Sequence, residues 1–185
     1  MKTVGKHLVV YVLYFGLVLW VRFFVRGAES VWGSATWWLL VGGLIGMGMP
    51  VVDRLVYVYV SAPNEQLSVQ VKALLARGKI REGWGVLMDR RLEQVKLSMN
   101  NVLFMAMWAV LAFYVLSSSR QPMPVGLVLG IGLDLVFDLY KDWGKRDYLV
   151  QRVFWPIKRP VGWAEAKRVV WAMVGAFVVV SLMSV

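Results

Sequence analysis

Five long apolar stretches alternate with shorter polar ones along the chain. They lie at about 8–25, 37–60, 101–117, 123–141 and 166–184. Each stretch approaches or reaches the roughly 20 residues that an α-helix needs to cross a bilayer. The pattern predicts an all-α, polytopic membrane protein, in which residues 1–185 form a single integral membrane domain with five transmembrane helices.

Two polar segments, 64–100 and 142–165, are amphipathic and are predicted to lie on the cytoplasmic side. In the first segment, apolar residues recur at helical spacing, and Gly78 is placed to end a helix. A second helix is predicted to begin near Arg81 and to run without a break into the apolar stretch at 101–117.

Composition and charge agree with a membrane location. Of the 185 residues, 59% are hydrophobic, the mean hydropathy is +0.61 and the formal net charge is +10. A soluble domain of this length would carry more charged residues. Most lysines and arginines fall in 53–100 and 141–168, so the positive-inside rule places both segments in the cytoplasm. Five crossings then predict a multi-pass protein of the cell membrane with a cytoplasmic N-terminus and a C-terminus outside.

The expected partners are the lipid bilayer and anionic lipid headgroups. The candidate headgroup-binding residues are Arg90, Arg91, Lys145, Arg146, Lys158 and Arg159. A nucleic-acid partner is disfavoured, because membrane topology already accounts for the basic loops. Since cysteine is absent, disulfides and thiolate ligands are excluded, and the single His7 excludes a site built from several histidines of one chain.

Glycines share one helical face in two of the apolar stretches. Gly126 and Gly130 are four residues apart, with Gly132 two positions further. The earlier stretch repeats this spacing at Gly42, Gly46 and Gly48. Small residues at such spacing let membrane helices approach closely, so these glycines are predicted to pack helices together. The same faces could also join copies of the chain in a homo-oligomer.

Acidic residues continue the glycine face toward the predicted cytoplasmic end. Asp134 and Asp138 follow Gly130 at further steps of four, and Asp53 lies at a similar depth in the second helix. Carboxylates are costly in lipid, so they should face protein, water or a cation. Depth along the helices predicts a polar cluster around these acids. Its further members are His7, Arg54, Asn100 and Asn101.

Two explanations of this cluster remain open. The first is a structural network in which Asp53 or Asp138 pairs with Arg54 or Lys141. The second is a site for a divalent cation with Asp53, Asp134 and Asp138 as ligands. Hard carboxylate oxygens suit Mg²⁺, Mn²⁺ or Ca²⁺ better than zinc.

Three short motifs resemble a known family. Pro50-Val51-Val52-Asp53-Arg54, Asp134-Leu-Val-Phe-Asp138 and Phe154-Trp155-Pro156-Ile157 stand in the order of its motifs. The family is that of the small membrane-bound, metal-dependent hydrolases, also described as LexA-binding, inner membrane-associated hydrolase-like proteins. Its motifs read Pro-Asp-x-Asp-His, His-x-x-x-Asp and a Leu-Trp-Pro-Phe-like turn. The resemblance implies a bacterial inner-membrane protein.

The chain departs from this family where metal ligands are expected. Val51 replaces an acid, and Arg54 and Asp134 each replace a histidine. The family's middle motif, His-Arg-x-x-Thr-His, is not recognisable near 91–101. Loss of the histidine ligands weakens a transition-metal site severely. If the resemblance holds, this chain has lost the family's chemistry or carries it out with another ion.

Three functions follow from these observations. The first is a non-catalytic membrane protein of the hydrolase-like fold, and it accounts best for the missing ligands. The second is a metal-assisted hydrolase that acts on a lipid or phosphate ester at the inner leaflet. The third is a small transporter or channel subunit, which intramembrane acids and glycine-rich helices would suit.

Overall fold

Helices account for most of the structure, a computed structural model that describes residues 2–27, 33–118 and 121–185. No strand occurs in the described residues, so the all-α prediction is confirmed. The helices are α1 (Lys2–Arg26), α2 (Ser34–Val56), α3 (Gln66–Ala76), α4 (Ile80–Asp89), α5 (Val102–Ser118), α6 (Pro122–Asp142), α7 (Arg146–Phe154) and α8 (Trp163–Ser184). A π-helical turn, Tyr57–Ser61, extends α2, and a 3₁₀ turn, Arg91–Glu93, follows α4.

Four helical segments are long and apolar enough to cross a membrane. These candidate spans are His7–Val25, Ser34–Ser61, Pro122–Asp142 and Trp163–Ser184. The fifth apolar helix, Val102–Ser118, is shorter at 17 residues. All five coincide closely with the apolar stretches of the sequence, because an uninterrupted apolar run favours a helix whose backbone groups bond within the segment.

The closest contact in the bundle joins α2 and α6. A Cβ atom placed on Gly42 would lie 2.1 Å from the carbonyl oxygen of Met123, and one on Gly46 would lie 2.3 Å from that of Leu127. Contacts on α2 therefore advance in the same direction as contacts on α6, so the two helices run parallel. Glycine lets the two backbones touch here because it has no side chain.

The α6 side of this contact uses glycine in the same way. A Cβ on Gly126 would lie 2.0 Å from the carbonyl oxygen of Leu39, and one on Gly130 would lie 2.2 Å from that of Gly43. These glycines and their partners on α2 pack within a single chain. The homo-oligomer expected through the glycine faces stays a prediction.

Two glycines of the repeated pattern have different surroundings. A Cβ on Gly132 would meet the rings of Trp108 and Phe177, so this residue makes room for aromatic side chains. A Cβ on Gly48 would meet nothing within 4 Å. The prediction that Gly48 packs against another helix is therefore wrong. Gly48 lies two residues after Gly46, which is about 200° around the helix, so it faces away from α6.

The other long helices run opposite to α2 and α6. On α5, Trp108 donates its indole N–H to the carbonyl oxygen of Val128 at 2.8 Å, while Phe104 lines a small cavity with Leu135. The later residue of α5 contacts the earlier residue of α6, so the two helices are antiparallel. The α8 helix also runs antiparallel to α6, since Trp163 at the start of α8 packs edge-to-face against Trp143 just after the end of α6.

The first helix runs parallel to α8. The Tyr14 hydroxyl lies 2.7 Å from Ser181 Oγ. About two turns further along α1, Arg22 donates to the carbonyl oxygen of Ser184, which lies about one turn further along α8. The five long helices thus alternate in direction in chain order. This arrangement is compatible with short connections between consecutive antiparallel helices. It is also compatible with the long connection 57–101.

The 57–101 connection folds into a small cap with its own apolar core. Tyr57, Val58, Leu67, Val71, Leu87 and Leu97 are buried in it. As predicted, Gly78 ends the first cap helix: its φ of +73° places it in the left-handed region. The N–H of Gly78 donates to Leu75 and that of Lys79 to Leu74, which are the two bonds of a Schellman motif.

The prediction of one unbroken helix from near Arg81 into α5 is wrong. Helix α4 ends at Asp89, and residues 94–101 are irregular. Breaking the helix frees backbone N–H groups of this segment for side-chain acceptors outside it. The side chain of Asn101 then starts α5 as an N-cap, accepting the N–H of Phe104 at 3.0 Å.

The contact between α2 and α6 can be tested with two alanine substitutions on α2. We expect Gly46→Ala to lower the free energy of unfolding by about 1–3 kcal/mol, because its methyl group must push the Leu127 carbonyl away. The matched control, Gly48→Ala, should leave stability unchanged or slightly raised. Thermal unfolding of the detergent-purified protein, followed by circular dichroism, measures both. Equal midpoints for the two variants would contradict the contact.

Candidate functional site

The end of α6 opposite its packing glycines carries three buried acids. Asp134, Asp138 and Asp142 are spaced four residues apart and are each at most 2% exposed. Asp142 continues the series of Gly126 and Gly130, so the four-residue spacing could have identified it from the sequence. Burying carboxylates is costly unless partners compensate their charge.

Asp138 lies between two cations. Lys141 Nζ is 3.0 Å from Asp138 Oδ1, so one pair of the predicted structural network is present. Arg152 Nη1 approaches Asp138 Oδ2 at 3.7 Å and Asp142 Oδ2 at 2.9 Å. Helix α7 inserts this arginine, itself buried, between the two acids. No spacing in the sequence identifies Arg152, because its position depends on how α7 folds back against α6.

Asp142 also pairs with a second arginine, Arg91 of the cap. The guanidinium of Arg91 hydrogen-bonds Asp142 Oδ1, and the Arg91 side chain is only 16% exposed. The prediction that Arg91 contacts lipid headgroups therefore gives way to an internal ion pair. The other five residues predicted to bind lipid headgroups are exposed or partly exposed.

Tyr148 ties α7 to the same point of the cap. Its hydroxyl donates to the carbonyl oxygen of Arg91 at 3.0 Å. Burial raises the pKa of Tyr148 above its ordinary value, and the nearby Arg152 opposes the rise only in part. The phenol therefore remains a neutral donor at physiological pH. Together, Lys141, Asp138, Arg152, Asp142 and Arg91 form a chain of alternating charges, called here the charge network.

His7 attaches α1 to this network through Asp134. His7 Nδ1 lies 3.0 Å from Asp134 Oδ1, and His7 Nε2 lies 3.5 Å from Lys141 Nζ. Because an ammonium group only donates, the second contact assigns Nε2 as the acceptor and Nδ1 as the nitrogen that donates to Asp134. The predicted nearness of His7 to the acids is thus seen in the structure.

Asp53 serves the cap rather than the charge network. Its two carboxylate oxygens accept the backbone N–H groups of Ser98 at 2.8 Å and of Met99 at 3.0 Å. This pairing satisfies the irregular segment that follows α4 and keeps Asp53 fully buried. Arg54, next to it, donates to the side-chain oxygen of Gln94 at 3.0 Å. Gln94 was not identified from the sequence.

The predicted asparagines lie at the same end of the bundle. Asn101 caps α5, and the buried Asn100 lines a small cavity with Asp134. The polar cluster predicted from depth alone is therefore assembled, although its members are divided between the cap and the charge network.

The three acids predicted as metal ligands are not brought together. Among the described residues, no group of three or more histidines and acids is arranged to hold a metal ion. Asp53 is occupied by backbone N–H groups, and Asp138 lies beside Lys141 and Arg152. Two cations next to a carboxylate repel an incoming divalent ion. In the structure these acids take part in ion pairs and backbone hydrogen bonds, and metal binding stays a prediction.

A cleft of about 250 Å³ opens beside the network. It lies between α1, α2 and α4, and His7, Arg54 and Asp134 form its polar part. A second groove, of about 500 Å³, is lined by apolar and aromatic residues such as Val10, Phe137 and Trp171.

Comparisons with known proteins find no matching family model, no matching curated protein and no matching solved structure. The resemblance to membrane-bound hydrolases therefore stays a prediction. Within it, Asp53 and Asp138 have the structural partners described above, and Arg54 occupies a position where the family has a histidine.

The charge network predicts a large difference between two arginine substitutions. Arg152→Met should lower the free energy of unfolding by about 3–5 kcal/mol, because it leaves buried carboxylates without their shared cation. Arg159 also pairs with an acid, Glu165, but its side chain is 64% exposed. Arg159→Met should therefore cost less than about 1 kcal/mol. Denaturant unfolding in mixed micelles compares the two, and similar small losses would refute a buried network.

Proposed function

We propose that this chain is a non-catalytic membrane protein that works by binding or as a scaffold. Its five long helices cross the cell membrane, and its charge network holds the cytoplasmic ends together. One observation supports this proposal most: the acids that could perform chemistry are engaged by protein groups. Asp138 and Asp142 share Arg152, and Asp53 accepts two backbone N–H groups.

The outer surface of the bundle supports the membrane location. Leu13 on α1, Val110 on α5 and Leu182 on α8 are 68%, 72% and 71% exposed. These residues belong to a broad set of exposed large apolar side chains on the long helices. In water such a surface would favour aggregation, whereas in a bilayer it faces acyl chains.

The alternating helix directions support the proposed topology. Helices α1, α5 and α8 run one way and α2 and α6 the other, as five successive crossings require. The basic segments 57–101 and 142–162 then lie at one end of the bundle, together with the charge network. The positive-inside rule assigns that end to the cytoplasm, with the N-terminus inside and the C-terminus outside.

The arrangement of the acids disfavours catalysis. A metal-assisted hydrolase needs ligands that can turn toward one ion and leave a position open for water. Asp138 is held between Lys141 and Arg152, and the carboxylate of Asp53 points into the cap. Turning either acid toward an ion would break buried pairs that hold the helices together. The network is therefore proposed to be structural.

The topology can be tested by cysteine labelling, because the chain has no cysteine of its own. Gln121 and Gly144 flank α6, and no atom lies within 4 Å of a Cβ placed on Gly144. In intact cells, a membrane-impermeant maleimide should label Gln121→Cys and not Gly144→Cys. After permeabilisation both should react. Labelling of both positions in intact cells, or of Gly144→Cys alone, would contradict the proposal.

A second test addresses catalysis through metal binding. Isothermal titration of the purified protein with Mg²⁺, Mn²⁺ and Ca²⁺ should show no saturable stoichiometric site. The comparison is a double variant, Asp134→Ala with Asp138→Ala. A stoichiometric ion bound by the parent and lost in the variant would overturn the non-catalytic proposal and favour a metal-assisted hydrolase.

A further inference from the structure

The cleft between α1, α2 and α4 has apolar walls and a polar floor. Leu8 from α1, Leu44 and Val51 from α2, and Met88 from α4 provide the walls. His7, Arg54 and Asp134 converge at the floor. A site of this shape suits a molecule with an apolar tail and a polar head.

Arg54 is the charged group of this floor that has no carboxylate within 4 Å among the described residues, although Asp53 and Asp138 interact with it electrostatically at longer range. His7 and Asp134 are hydrogen-bonded to each other. Among the described residues, the ion pairs of the charge network involve the cations Arg91, Lys141 and Arg152, and not Arg54.

The surroundings of Arg54 differ from those of Arg152, which is also buried. Arg152 reaches two carboxylates, whereas Arg54 reaches the neutral side chain of Gln94. Asp53, adjacent in sequence, directs its carboxylate to the N–H groups of Ser98 and Met99. A guanidinium has five N–H donors in a planar fork, which bind phosphate well. An anion in the cleft would supply a counter-charge in direct contact with Arg54, which no carboxylate of the described residues provides.

Gly48 contributes to the size of the cleft. Unlike Gly42 and Gly46, it has no helix packed against it, and a Cβ there would meet nothing within 4 Å. It nevertheless lines the cleft, so any larger side chain at this position would occupy the cleft. Its small size therefore serves the cavity and not the contact between α2 and α6.

The depth of the cleft matches the inner leaflet of the membrane. Its polar floor is level with the charge network, and Trp84 of the cap lines it as well. Tryptophan is enriched at membrane interfaces, where lipid headgroups lie. From the floor, the apolar wall extends along Leu44 toward the middle of the bilayer.

We infer that this cleft binds one anionic phospholipid of the inner leaflet. The lipid phosphate sits on the Arg54 guanidinium, and one acyl chain lies along the wall formed by Leu8, Leu44 and Val51. A soluble phosphate would satisfy the guanidinium but leave the apolar walls uncovered, so the lipid is the better occupant. This inference rests on the proposed membrane location and gives the non-catalytic protein a ligand.

Native mass spectrometry of the full-length protein in detergent tests the inference. Phosphatidylglycerol and phosphatidylcholine with identical acyl chains serve as probes. The parent should retain one phosphatidylglycerol molecule saturably, with an affinity at least about tenfold above that for phosphatidylcholine. Arg54→Gln should remove this preference. Gly48→Leu should reduce binding of both lipids about tenfold or more while the thermal midpoint stays at or above that of the parent.

Two control variants separate cleft binding from general effects. Gly16→Leu adds the same side chain to α1, where a Cβ also meets nothing within 4 Å and which does not line the cleft. Lys79→Gln removes a surface cation that is paired with Glu82. Both should bind phosphatidylglycerol as the parent does. Because Gly48→Leu leaves all buried polar groups in place, it keeps the test valid if Arg54→Gln fails to fold.

Three outcomes would overturn the inference. Equal affinity of the parent for the two lipids would remove the role of the Arg54 charge. Undiminished binding by Gly48→Leu would place the lipid elsewhere. Displacement of the lipid by soluble glycerol 1-phosphate would identify the headgroup alone as the ligand. If the maleimide labelling places Gln121 and Gly144 on opposite sides while no lipid binds saturably, this inference fails and the proposed topology stands.

Discussion

Where α2 and α6 cross, carbonyl oxygens of one helix lie against the Cα atoms of the other. This close approach is possible because the contact positions are glycines: Gly42, Gly46, Gly126 and Gly130. Two parallel helices held backbone to backbone form the central pair of the bundle. The remaining long helices pack around this pair, since Phe15 of α1 reaches Gly43 and Trp108 of α5 reaches Val128. Gly48 lies on a different face of α2 from Gly42 and Gly46, and it lines the cleft.

The glycines hold the first part of α6 against α2. The charge network holds the opposite end of α6 against its neighbours. Ion pairs link α6 to α7 through Arg152 and to the cap through Arg91, and the hydrogen bond between His7 and Asp134 links α6 to α1. A buried network of this kind adds little net stability compared with an apolar core, but breaking any one partner leaves a costly unpaired charge. Its effect is therefore to specify one arrangement of helix ends that apolar side chains alone would leave free to slide.

The acids and the cleft have different roles, and this difference is the reason for proposing a binding or scaffold function. The acids hold helices and the cap in position, whereas the cleft contains Arg54, which has no carboxylate within 4 Å among the described residues. A membrane protein that binds a lipid at one leaflet needs no reacting group. It needs a charged contact at headgroup depth and a wall for the acyl chain.

The order and length of the helices were determined by the sequence, because apolar runs near the length of a bilayer span form helices whatever surrounds them. The glycine spacing also predicted close packing, and depth along the helices predicted that His7, Asp134 and Asn100 would meet. Only the tertiary structure decided what each acid does. Arg152 and Arg91 reach α6 through the fold of α7 and of the cap, so no spacing in the chain reveals these pairs. The break before α5 follows from the same cause: Asp53 lies far away in sequence, and only folding brings its carboxylate to the N–H groups of Ser98 and Met99.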